Sequence, residues 1–323
     1  MALRIVLMGT GEFAVPTFRS LMDSLHQVVG VLTQPDKTGR GHHHHVNPIK
    51  ELGVERNIPV FQPERVNRPE MLETLRSLQA DVFVVAAYGQ ILKQALLDIP
   101  RLGAFNLHGS LLPRHRGAAP VQYSVWVGDQ KTGVTMFRIE PSLDSGPMVG
   151  KVVTEIGPHE TSGELMLRLA ELSVSLTHQV LSELEAGTAV FERQNESEVT
   201  LAPKIDKLQG EIQWSLAARQ IDCQVRAMQP WPRAYTWLLR ENQAPLRCLI
   251  LQATASDDTA TEVVSADRVG ALITDGGRLL VQTGQGRLQL LQIQPDGRKA
   301  VDALSFVNGY QLTSTSRMGS SHS

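Results

Sequence analysis

The chain has 323 residues, 42% of them hydrophobic and 20% charged, enough to bury a sizeable core over about two domains. That balance excludes a disordered or fibrous polypeptide. No run approaches the roughly 20 apolar residues that span a bilayer, and the opening apolar stretch is too short for a signal sequence. Two cysteines, Cys223 and Cys248, make no disulfide framework and fit a reducing compartment. A cytoplasmic protein without membrane attachment is expected.

In chain order, apolar runs at 3–8, 27–33, 60–62, 81–87, 103–107 and 133–139 read as strands. They are continuous rather than alternating, the pattern of strands covered on both faces. Helical patterns fall between them, near 15–24, 48–56, 68–78, 94–97 and 118–127, so the alternation predicts an open, mainly parallel α/β sheet. A ligand would then sit beyond the carboxyl ends of the strands. A long helix over 162–186 carries Leu165, Leu169, Leu172, Leu176 and Val180 at helical spacing, a core stripe. These elements make residues 1–190 one domain. Residues 191–206, charged and polar, read as a linker. Beyond a short helix at 216–228, brief runs at 246–253, 270–274, 278–281 and 288–293 predict a small antiparallel barrel or sandwich over 207–312. The Ser/Thr-rich stretch 313–323 reads as a disordered tail.

The formal charge is −2, but it is unevenly spread. Residues 204–323 carry 13 basic and 11 acidic side chains, and the remainder 18 and 22. The overall sign argues against nucleic acid; its distribution leaves room for weak, salt-sensitive binding.

Gly9-Thr10-Gly11-Glu12-Phe13-Ala14 matches a dinucleotide fingerprint, with Asp36 roughly where a ribose-binding acid would stand. Small residues also simply permit a tight strand-to-helix turn. Pro35 separates Asp36 from its strand, which disfavours a nicotinamide-dependent dehydrogenase.

The chemistry concentrates further on. Asn106 and His108, two apart at a strand end, point the same way and place polar groups where a core needs none. Asp144 lies in the turn-rich 141–147 segment, expected at the carboxyl end of the neighbouring strand. A carboxylate there raises the histidine pKa and fixes its ring. Together the three polarise a carbonyl, stabilise an oxyanion and move a proton. That set implies acyl transfer to an amine, with no metal and no covalent nucleophile.

Asn106-x-His108, the run Ser110-Leu111-Leu112-Pro113-Arg114-His115-Arg116-Gly117 with Pro120, and Leu143-Asp144-Ser145-Gly146 resemble the formyltransferases that use 10-formyltetrahydrofolate. Gly9 to Pro16, Thr33 to Asp36, Gly39 to Gly41 and Ala86 to Gly89 are similar to N-terminal motifs of that family. Ala202 to Ile205, Val225 to Ala227, Pro230 to Pro232 and Leu291 to Pro295 extend the likeness to nearly the whole chain. The resemblance implies a Rossmann-like catalytic domain followed by an OB-like, tRNA-binding barrel. It implies that Asn106 and His108 bind the formyl oxygen and its oxyanion, while Asp144 keeps His108 protonated. It places the pterin in a slot formed by Tyr88, Gly89, Gln90, Ile91 and Leu92, with Ser110, Leu111, Leu112 and Pro113 shaping the folate site.

The likeness is greatest to the members that formylate methionyl initiator tRNA. It assigns Arg40 to the acceptor stem. Arg114 and Arg116, which flank the predicted site, read as tRNA-binding residues, a landing point for substrate phosphate or folate glutamate, and Lys204, Lys207, Arg226 and Arg233 read as further tRNA contacts. Trp231 reads as a barrel-packing residue. His42-His43-His44-His45 replaces the family's Lys-rich loop, and mostly neutral imidazoles weaken phosphate attraction. A monomer is expected. Two alternatives keep the chemistry and change the acceptor, to water or to an amino sugar; a non-catalytic RNA-binding barrel would leave Asn106, His108 and Asp144 unexplained.

Overall fold

The computed structural model describes residues 2–36, 47–256 and 265–321. The chain divides into two compact units, Met1–Pro120 with Lys131–Glu155 and Leu165–Pro203, and Val121–Gln130 with Ile156–Glu164 and Lys204–Ser323.

In the first unit β1 (Arg4–Gly9), α1 (Val15–Met22), β2 (Gln27–Leu32), α2 (Pro48–Glu55), β3 (Val60–Phe61), α3 (Pro69–Ser77), β4 (Val82–Ala86), α4 (Gln94–Leu97) and β5 (Ala104–His108) follow in alternation. The helix α5 (Pro120–Trp126) groups with the second unit, and β6 (Lys131–Arg138), β7 (Met148–Glu155) and α6 (Ser162–Ala186) follow. The sheet order is β3-β2-β1-β4-β5-β6-β7. The first five strands run parallel, in the order of a Rossmann-type sheet that reverses between β1 and β4. Their continuous apolar runs are buried on both faces: Val6, Met8, Leu32, Phe83 and Val85 share one core cluster with Leu75 and Leu96 from helices. In α6, Leu165, Leu169, Leu176 and Val180 are buried at the expected spacing.

The sheet departs from expectation at its far end. β6 runs antiparallel to β5, and β7, absent from the sequence pattern, antiparallel to β6. β7 is an edge strand whose residues alternate between half-buried and exposed after its first turn, so it lacks the continuous apolar run that marks the others.

Residues 191–203 do not form a free linker. Glu192 bridges Met148, and Leu201 bridges Arg116, which weaves the segment into the first unit.

The second unit holds α7 (Ala218–Ala227), β8 (Ala234–Leu239), β9 (Leu246–Ala255), β10 (Leu272–Asp275), β11 (Arg278–Gln282), β12 (Arg287–Pro295), β13 (Val301–Asp302), α8 (Ala303–Tyr310) and β14 (Arg317–Gly319). Its antiparallel order is β10-β11-β12-β9-β8-β14, with β13 beside β12. A bridge between Ala271 and Arg317 joins the two ends of that order, closing the sheet into the OB-like barrel class. The expected disordered tail is therefore corrected. β14 pairs with β8 through Arg317, Met318 and Gly319, and Met318 is buried. Trp231, expected to pack, is instead 47% exposed.

Candidate active site

Because β1, β4 and β5 are parallel neighbours, the turns after Gly9, Ala86 and His108 leave the sheet on one edge. Gly9 is needed there for packing, since a Cβ would lie 2.7 Å from Phe18 Cε2 and 2.8 Å from the Ala86 carbonyl. Asp36 forms an ion pair with Lys50 and accepts a hydrogen bond from Gln62 Nε2 at 2.9 Å. The carboxylate that a dinucleotide site would aim at a ribose is spent on these partners.

His108 closes β5 and is almost wholly buried. The loop after it is fastened to β6: Thr135 Oγ1 donates to the Ser110 carbonyl at 2.7 Å and accepts from Leu112 N at 3.1 Å. Ser110 Oγ donates to the Arg114 carbonyl at 2.7 Å. The loop's return brings the His115 carbonyl 2.8 Å from His108 Nε2. A carbonyl only accepts, so Nε2 carries the hydrogen. Nδ1 faces Asp144 Oδ2 at 3.8 Å, and Phe137 sets its ring edge-on to the imidazole. Burial lowers the His108 pKa, outweighing the opposite pulls of the Asp144 charge and the His115 hydrogen bond. The His115 contact leaves Nε2 committed to the backbone.

Asn106, half-buried two residues earlier, makes no side-chain hydrogen bond among the described residues. Its carboxamide offers two donors on the side of the strand that His108 occupies.

Asp144 meets His108 by a different route from the one expected. β6 is antiparallel, so Arg138 at its carboxyl end pairs with Phe105, while His108 pairs with Thr135. The 139–147 loop must reach back along β5 to bring Asp144 to the histidine. Gly117 N holds the carboxylate at 2.8 Å. Gln194 Nε2 donates to the carbonyls of Asp144 and Gly146, both at 2.8 Å.

Sequence reasoning missed Gln194, His115 and Thr200. Gln194 stands 50 residues from Asp144 in a polar run (Gln194-Asn195-Glu196-Ser197-Glu198) whose composition resembles a solvated linker. No local pattern distinguishes its buried glutamine from the exposed residues that follow.

The segment after β4 sits on the same edge. Of its residues, Tyr88 and Leu92 turn into the core; burial raises the Tyr88 pKa, and its hydroxyl has no partner among the described residues. Gln90 is fastened by accepting from Val66 N and donating to the Pro63 carbonyl. The carbonyls of Tyr88 and Ile91 already accept from Gln34 and Asn67. Gly89 and Ile91 are exposed, the latter by 79%. In the loop after β5, Leu111 is half-buried, and Ser110, Leu112 and Pro113 are buried.

Arg116 is corrected as a landing point for phosphate. Its guanidinium is buried and holds Gln194 Oε1 (3.0 and 2.8 Å) and Glu196 (3.2 and 2.8 Å). Arg114, Lys204 and Lys207 are exposed. Arg40 and the His42–His45 run lie outside the described residues. Among the described residues no cluster of three metal-ligating side chains occurs, and no helix is long and apolar enough to cross a membrane.

Residues 3–181 match the family described as formyl transferase, and residues 204–311 match its C-terminal domain. A methionyl-tRNA formyltransferase of Solibacter usitatus (strain Ellin6076) is 42% identical over 322 residues, covering 99% of this chain and 100% of the relative. Among solved structures, the sugar 3N-formyl transferase WlaRD, in the presence of dTDP and 5-N-formyl-THF, superposes with a TM-score of 0.66 at 15% identity. That alignment spans 93% of this chain and 100% of WlaRD. An N-formyltransferase of Helicobacter canadensis, in complex with folinic acid and dTDP-3-aminofucose, gives 0.64 at 16% identity over 89% and 98%. Both share the fold. The chain therefore belongs to the formyl transferase family.

Proposed function

We propose that this protein transfers the formyl group of 10-formyltetrahydrofolate to the α-amino group of methionyl initiator tRNA, acting in the cytoplasm as a monomer. The observation that carries the reading is an unengaged Asn106 carboxamide beside a buried His108 whose Nδ1 faces Asp144, in a chain 42% identical end to end to a methionyl-tRNA formyltransferase.

The folate fits what the carboxyl edge offers. Gly89 and Ile91 present open backbone and an exposed apolar side chain on the sheet edge that holds Asn106 and His108. The bound donor supplies an activated one-carbon acyl group. Asn106 donates to the formyl oxygen as negative charge gathers there, the preorganised role of an oxyanion donor. His108 accepts at Nδ1 the proton lost by the attacking amine and returns it to the departing nitrogen. The resulting imidazolium is held between the His115 carbonyl and the Asp144 carboxylate, so the ring charges only as the reaction needs it. One C–N bond forms, one breaks, and the proton moves between the two nitrogens. In this reading the second unit, with Lys204 and Lys207, binds the tRNA, and Arg40 and Arg114 are the other residues assigned to it.

The test is incubation of purified protein with 10-formyltetrahydrofolate and charged initiator tRNA. Formyl-methionyl-tRNA above the enzyme-free background is expected; its absence refutes the proposal.

A further inference from the structure

The segment 194–202 does more than connect the two units. Gln194, buried in the first unit, uses all four hydrogen-bonding positions of its carboxamide. Nε2 donates to the carbonyls of Asp144 and Gly146, and Oε1 accepts from Nε and Nη2 of Arg116. A buried amide so saturated has one orientation. Six residues on, Thr200 Oγ1 accepts from His115 N at 2.9 Å, and its carbonyl accepts from Arg116 N at 2.9 Å. The pairing continues as Ala202 N donates to the Arg116 carbonyl at 2.7 Å.

These contacts converge on one ring. His115 supplies the carbonyl that holds His108 Nε2, and Asp144 supplies the carboxylate facing Nδ1. We infer that Gln194 and Thr200 are positioning residues, and that segment 194–202 is a two-point clamp setting the groups on both nitrogens of His108. Gln194 fixes the Asp144 side and Thr200 the His115 side. Arg116 links the two grips, with its side chain on Gln194 and its backbone on Thr200. The inference rests on the proposed formyl transfer, because a positioned proton acceptor matters only if His108 moves a proton.

A merely structural role predicts lost stability and nothing else. The clamp predicts a change in chemistry per folded molecule. In the variants Gln194→Met and Thr200→Val, single-turnover kcat corrected for folded fraction should fall about 10- to 100-fold, as for supporting residues whose loss misplaces a reacting group. The KM for the formyl donor should change far less. The Asp144 carboxylate and the His115 carbonyl raise the His108 pKa against burial and the His115 imidazole, which lower it, so loosening either oxygen should move the acidic limb of the kcat–pH profile to lower pH. Thr200→Ser, which restores the hydroxyl, should recover rate and limb together. If Gln194→Met does not fold, the Thr200→Val and Thr200→Ser pair decides the matter. Folded variants with kcat within threefold of the parent and an unmoved limb overturn the clamp, as does a rate loss that only follows loss of folded protein. A parent enzyme that formylates nothing refutes the proposed function instead.

Discussion

Replacing Asn106 by alanine separates catalysis from folding more cleanly than any other substitution at this site. The carboxamide is half-buried and bonds to no described residue, so its removal breaks no hydrogen bond of the folded state and leaves no orphaned partner. Unfolding free energy should stay within about 0.5 kcal/mol of the parent, as at positions free of such features. The transition state, by contrast, loses a preorganised donor to the developing oxyanion. The cost of such a loss is about 10²- to 10³-fold in kcat, or roughly 2.7–4 kcal/mol of barrier. The assay is single-turnover formylation of charged initiator tRNA at saturating donor, paired with urea denaturation. Folate binding, followed by fluorescence, should survive in part, because Gly89 and Ile91 are untouched. A kcat within fivefold of the parent, about 1 kcal/mol of barrier, would refute the oxyanion role. A large loss of stability would show that Asn106 has a structural partner after all.

Three further outcomes are expected. Burial lowers the His108 pKa below its ordinary 6.5, so the unfolded chain binds the proton more readily. The stabilising contribution is then complete above about pH 6.5 and drains away as pH falls through the native value; His108→Gln should flatten the Tm–pH curve in that window. Gly117 has φ +127°, and a Cβ there would lie 2.6 Å from the Ala202 carbonyl. Gly117→Ala should therefore cost about 1–3 kcal/mol of stability by chemical denaturation; a neutral result would show that the 194–202 pairing yields easily. Lys204→Ala and Lys207→Ala should each weaken tRNA binding and reduce the slope of log K against log salt by about 1 if each lysine meets a phosphate. An unchanged slope would remove that lysine from the interface.

Much of the first sheet could be read from the sequence because parallel strands buried on both faces leave continuous apolar runs. The same physics explains what was missed. β7 is an edge strand with one exposed face, so its Lys151, Val153 and Glu155 alternate with partly covered residues and no apolar run marks it. The terminal strand β14 contributes only three residues, of which Met318 alone is buried; around it lie the serines and threonines that suggested disorder. At the site, Asn106 and His108 were legible because strand geometry fixes residues two apart. Asp144 was found, but by an argument that assumed a parallel neighbour; strand direction leaves no mark in an apolar run. The family likeness assigns Tyr88 and Leu92 to the ligand slot, but a motif does not say which of its side chains the backbone turns into the core, as it does these two. Gln194 was invisible because its partners lie 50 and 78 residues away.

The backbone around His108 gives a separate reason to regard this region as built for chemistry. His115 and Asp144, the two residues that address its ring nitrogens, both adopt left-handed conformations, at φ 62° and 46°. Gly117, which donates to the Asp144 carboxylate, also has positive φ. A side chain in that region costs on the order of 1 kcal/mol or more, and such a cost persists only where surrounding contacts enforce it. Here those contacts are visible. Thr200 and the Ala202 pairing hold 115–117, and the two donors of Gln194 hold 144–146. Neither conformation is needed to close the sheet, whose β5–β6 ladder is complete without them. What both accomplish is to turn an oxygen toward a buried imidazole, the His115 carbonyl to Nε2 and the Asp144 carboxylate to Nδ1. The strain and the hydrogen bonds that sustain it are thus spent on holding two oxygens against the His108 ring, as the proton-accepting role proposed for it requires.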